Sequence, residues 1–120
     1  MPHTDHSASA GSQMRECIDA CLKCSAVCTE AVRHCLEMGG KHAEAQQVTI
    51  MTDCAEICQT SANFMLRGSA AHVETCSTCA AICRACEDSC RQLGGERMVH
   101  CADECAKCAE SCEGMAGLMS

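Results

Sequence analysis

Cysteine recurs every three or four residues along most of this chain, and that spacing puts sulfur where a helical protein ordinarily puts leucine. In the first stretch Met14, Cys17, Cys21, Cys24, Cys28, Ala31, Cys35 and Met38 follow one another in alternating steps of three and four. In the third, His72, Cys76, Cys79, Cys83, Cys86, Cys90 and Leu93 do the same. The fourth repeats the pattern with Met98, Cys101, Cys105, Cys108, Cys112, Met115 and Met119. The second is sparser but in register: Met51, Cys54, Cys58, Ser61 and Met65. Such steps mark the seam of helices packed lengthwise. Gly39-Gly40, Gly68 and Gly94-Gly95 separate the stretches, roughly 13–38, 42–67, 70–93 and 96–117, and the only proline is Pro2. Stretches without Pro and rich in Ala, Glu, Arg, Met and Gln read as helices. The glycines stand where a helix C′ residue belongs, and Ser12 and Ser69 are suited to be N-caps. The expected fold is all-α: an antiparallel four-helix bundle with a Cys-lined lumen over 13–120. Residues 1–12 read as a flexible polar tail.

A bundle core is normally aliphatic. Here Leu, Ile, Val and Phe number fifteen in 120 residues, against sixteen Cys, and the net charge is −7. A chain so poor in large apolar side chains cannot fill an ordinary core, so cysteine, with whatever it binds, must fill the middle. The remaining Ile18, Leu22, Val32, Ile50, Ile57, Phe64, Val73, Ile82 and Val99 fall off the Cys stripe. They are too many for a solvated exterior, and some of them predict a subunit interface and hence a homo-oligomer.

Composition excludes several roles. No apolar run is long enough to span a membrane. Nine dispersed Lys and Arg with a single aromatic residue make a poor nucleic-acid binder. The opening MPHTDHSASAGS has neither the basic nor the apolar region of an export signal, which predicts a cytoplasmic protein with reduced thiols. A catalytic dithiol would be one exposed CxxC at a helix start, whereas this chain carries an array, so no enzyme is expected.

The array suits a metal of low coordination number. Seven cysteine pairs fit CxxxC and four fit CxxC. Within a helix such neighbours have Cβ atoms about 5–6 Å apart. A disulfide needs about 3.5–4.5 Å. Tetrahedral zinc and Fe–S clusters ordinarily use CxxC knuckles in loops, which are not found here. Cu(I) is soft, thiophilic and satisfied by two or three sulfurs. If each ion takes two thiolates and each thiolate bridges two ions, capacity is on the order of sixteen Cu(I) per chain. Without metal the thiols must stay protonated, in which form Cys packs as a small apolar residue.

The repeated CxxxC resembles that of the bacterial copper storage proteins. It is clearest in Cys101-Ala-Asp-Glu-Cys105-Ala-Lys-Cys108-Ala-Glu-Ser-Cys112, in Cys76 to Cys90, and in Asp53-Cys54-Ala-Glu-Ile-Cys58. The resemblance covers about residues 14–117 and points to the cytosolic branch. It implies a homotetramer of four-helix bundles, dense Cu(I) loading, storage without catalysis, and His or Met ligands near one open end. By register all sixteen Cys match lumen positions. His34 and His100 directly precede Cys35 and Cys101, at ends that an antiparallel bundle brings together with Met38, His42, Met51 and Met98. That end is the expected mouth. Met14, Met65, His72, Met115 and Met119 gather at the other. Ser61 and Ala31 break the ladder, and Asn63 is a weak candidate for a lumen position. A metallothionein-like zinc or cadmium buffer and a copper chaperone are the alternatives.

Overall fold

The structure is a computed structural model and describes residues 2–117. Helix α1 runs Pro2–Met38, α2 Ala45–Leu66, α3 His72–Leu93 and α4 Glu96–Met115, with a short 3₁₀ turn at Gly40–Ala43. Each helix packs on two neighbours: α1 on α2 and α4, and α3 on α2 and α4. Consecutive helices run antiparallel, which gives the four-helix bundle that the heptad steps predict. Its cross-section is 22 × 21 Å.

The helix C-termini fall where glycine allows the chain to turn. Gly94 and Gly95 are both left-handed, at φ 72° and 87°. Gly94 donates to the Cys90 carbonyl at 3.1 Å, and the Gly95 carbonyl accepts from Val99 at 2.9 Å. Two residues thus end α3 and begin α4, a reversal that side-chain-bearing residues resist.

Both expected N-caps differ. Helix α1 starts at Pro2, so Ser12 lies inside it and the backbone of the expected tail continues the helix. Proline suits a first helical turn, and only Gly11 interrupts the run to Cys17. Helix α3 is capped by Ala71, not Ser69. The Ser69 hydroxyl still accepts from the Ala71 N–H at 3.2 Å, so it closes the turn leading into α3.

All sixteen Cys are 0% exposed, and they line the bundle axis. Ala31, Ala55, Ala62, Ala80, Ala102 and Ala109 fill the spaces beside them. Small side chains let the helices approach closely, and this keeps the sulfurs in mutual contact. Ile18, off the Cys stripe, is buried within the chain. Leu22, Val32, Ile50, Ile57 and Ile82 also pack against the core, half-buried at the helix seams. Val73 and Val99 remain exposed. Outside, Arg84–Glu113 at 2.9 Å and Arg91–Asp103 at 3.1 Å link α3 to α4 across solvent. Exposed pairs of this kind add little stability.

Candidate metal centre

Every cysteine is a free thiol. The sulfurs form a continuous file along the axis. Its middle layer takes one thiol from each helix: Cys24, Cys58, Cys83 and Cys108. Toward the α1 C-terminus come Cys24, Cys28, Cys54 and Cys105, then Cys28, Cys86, Cys101 and Cys105. In the other direction come Cys21, Cys79, Cys108 and Cys112, then Cys17, Cys76 and Cys112. Within each group the sulfurs lie within 4.8 Å of one another. Adjacent groups share a member: Cys28 and Cys105, then Cys24, then Cys108, then Cys112. A shared thiolate is one that can bridge two ions, so the groups form one array.

The contact distances suit low-coordinate ions. Cys54–Cys83 is 3.5 Å, Cys21–Cys108 and Cys58–Cys108 are 3.6 Å, and Cys28–Cys101 is 3.8 Å. With metal–thiolate bonds of about 2.3 Å, two sulfurs on one ion stand about 4.0 Å apart at a trigonal angle and about 4.6 Å apart in line. Small rotamer adjustments open the file to that spacing.

Two thiols lie beyond the five groups, both toward the α1 C-terminus. Cys35 meets two thioethers, Met98 Sδ at 3.7 Å and Met51 Sδ at 3.9 Å, and all three side chains are buried. Cys90 accepts from Gln47 Nε2 at 3.7 Å, and the Gln47 carbonyl oxygen accepts from Ser89. Gln47 escaped the sequence reading. Its signal was present, because it stands four residues before Met51 and so extends the α2 stripe by one step.

The remaining mouth residues do not enter the lumen. Met38 is 58% exposed. His100 is exposed and lines a shallow groove with Val27, Glu30, Ala31 and Arg97. His34 is half-buried and packs edge-on against His42, with ring centroids 6.0 Å apart. Asn63 is also outside the lumen, where its carbonyl oxygen accepts from Gln59. At the opposite end Met65 is buried, with Sδ 3.9 Å from Cys76 Sγ. Met14 and Met115 are half-buried there, and His72 Nδ1 sits 2.8 Å from the Ser69 carbonyl. Met119 lies outside the described residues.

Packing the thiols together changes their acidity in opposite directions. Burial pushes the Cys35 thiol up, and charge on Cys101 or Cys86 would push it further. Cys101 is held down to about 5 because Cys105 and Cys28 donate to its sulfur. Cys28 and Cys105 are raised in turn, first by holding that proton against Cys101. The array therefore drives neighbouring thiols apart in acidity. It cannot support sixteen thiolates at once, since desolvation and mutual repulsion oppose each further charge. A soft monovalent cation removes that obstacle by replacing each proton as it leaves.

A family model described as "Copper storage protein" matches residues 10–117. The chain belongs to the copper storage protein family. Solved structures agree. The Nmul_A1745 protein of Nitrosospira multiformis is 49% identical, with TM-score 0.86, over 91% of this chain and 99% of that one. A Cu(I)-bound copper storage protein of Bacillus subtilis is 33% identical, with TM-score 0.82, over 87% of this chain and 98% of that one. A cytosolic copper storage protein of Streptomyces lividans, carrying five coppers, is 25% identical, with TM-score 0.77, over 91% and 96%. The four-helix bundle is thus the fold that these relatives share, and the shared-thiolate file is the part of this chain suited to copper storage.

Proposed function

We propose that this chain binds and stores many Cu(I) ions inside the bundle, with its sixteen Cys as the ligands. The observation that carries the reading is the linkage of five buried sulfur groups through shared cysteines. Separate tetrahedral zinc sites would each need four thiolates of their own. A copper chaperone needs one exposed site, whereas every thiol here is buried. Burial of every thiol likewise supports storage over dithiol catalysis, which needs an accessible sulfur. Metal preference tests the assignment. Zn(II) is expected to saturate the protein at about four ions, one per four thiolates. Cu(I) added to that zinc form should displace it completely. Zinc that resists Cu(I) would favour the buffer reading.

The mouth is placed at the Cys35 end, with Met51 and Met98 as exchangeable thioether ligands that pass ions inward to Cys90 and Cys101. His34, His100 and Met38 stand outside this site on the same end and are at most transient contacts for an arriving ion. Replacing Met51 and Met98 together by Leu conserves volume and removes both thioethers. Stopped-flow loading should slow severalfold, with capacity within about one ion of wild type, since only one three-sulfur site is lost. Loading at the wild-type rate would move the mouth elsewhere.

The storage unit is assigned to residues 13–120 and the assembly to a homotetramer in the cytoplasm. No helix among the described residues is long and apolar enough to cross a membrane. The Streptomyces lividans relative described as cytosolic supports the location. Exposed Leu36, Leu66, Val73 and Val99 support an interface between copies. Sedimentation should give four times the mass of one chain; a 12.7 kDa species would contradict it.

A further inference from the structure

Ser61 carries the buried side-chain oxygen that, among the described residues, has no hydrogen-bond partner. It is 0% exposed. Hydroxyls on helices ordinarily bond the carbonyl four residues back. Thr29 does so to Ser25 and Thr52 to Val48, each at 2.8 Å. Ser61 does not, and a buried hydroxyl without an acceptor is costly. Alanine, which the same helix uses at buried Ala55 and Ala62, would avoid that cost.

Its position suggests what the hydroxyl is kept for. Ser61 stands on the α2 stripe between Cys58 and Met65. Cys58 touches Cys79, Cys83 and Cys108 at 3.6 Å, and Met65 touches Cys76. At that level α1, α3 and α4 supply Cys17, Cys76 and Cys112. The middle layer draws a thiol from all four helices; the terminal layer draws three, and register, three residues past Cys58 and four before Met65, puts Ser61 at the α2 corner.

The geometry points to Ser61 as a hydrogen-bond donor to a thiolate of the Cys17–Cys76–Cys112 site when that site holds Cu(I). The inference rests on the storage reading and adds a residue to it. As thiols, the sulfurs of that layer are weak acceptors. When Cu(I) displaces their protons they become anionic, and a hydroxyl beside an anion makes a charge-assisted bond. A neutral hydroxyl oxygen is a hard, poor ligand for Cu(I), so its place is on the sulfur and not on the metal. Ser61 is therefore a positioning and charge-stabilising residue at the end of the lumen opposite the Met51–Met98 thioethers.

Two variants test it, titrated anaerobically with Cu(I) against a competing chelator. Ser61→Ala should bind as many ions as wild type but hold the terminal ones about tenfold more weakly, the scale of a hydrogen bond to a charged group. Its apo thermal midpoint should not fall, because the substitution removes an unpaired hydroxyl; this separates lost affinity from lost folding. Ser61→Cys completes the fourth corner and should raise capacity by about one ion. A Ser61→Ala competition curve identical to wild type would overturn the proposal alone. Failure of the wild-type protein to bind Cu(I) would overturn the storage reading and the proposal with it.

Discussion

Loading the reduced protein with Cu(I) should raise its thermal midpoint by tens of degrees. The apo core is made of thiols and alanines, held by contacts that each contribute little. A ligand that binds only the folded state stabilises by mass action, at about 4.1 kcal/mol for one site at a thousandfold excess over Kd. A chain of this size gains roughly 4 °C per kcal/mol, so even two such sites would raise the midpoint by about 30 °C. The array has far more than two. The measurement is circular dichroism on heating, with and without Cu(I), under strict exclusion of oxygen. Chelator extraction should return the apo midpoint. A shift of only a few degrees would mean that copper binds at the surface or binds the unfolded chain equally well.

Removing the middle layer should cut the store in two. The variant Cys24→Ala, Cys58→Ala, Cys83→Ala and Cys108→Ala deletes the group that takes one thiol from each helix. Cys24 and Cys108 each also belong to a neighbouring group, so the continuous file becomes two separate ones. Capacity should fall from about sixteen to about twelve ions or fewer, because bridging is lost along with ligands. Alanine is the best helix former, so helical content should hold. Each deleted sulfur should cost roughly 1 kcal/mol of apo stability, the scale of one buried methylene. Should four deletions unfold the apo bundle, Cys58→Ala with Cys83→Ala is the milder form, with a loss of about two ions expected by the same bridging argument. Undiminished capacity in either variant would place the copper elsewhere.

Much of this was legible in the sequence because sulfur marks the buried stripe more sharply than a mixed aliphatic seam would. Steps of three and four placed all sixteen Cys at 0% exposure, and the glycine pairs located the turns. Other placements go beyond what register alone can tell. His100 and His34 stand next to a cysteine, but adjacent helical residues point about 100° apart, so a neighbour of the stripe lies beside it. Met38 is in register, yet it is the last residue of α1 and is left exposed. Ile18 and the other off-stripe aliphatics are a third case. A bundle lined with small thiols is narrow, so the helix seams close over residues that a wider bundle would leave outside. Gln47 was in register but polar, and its burial depends on Ser89 and Cys90 from α3, which no local pattern shows.

The central claim is that the lumen is one continuous copper store. Its most direct test is the stoichiometry of the fully reduced chain, titrated anaerobically with Cu(I) against a chelator of known affinity. A sharp end point near one Cu(I) per cysteine, about sixteen per chain, is the expected result for bridging thiolates. Saturation at one or two ions, or at one ion per four thiols, would contradict it.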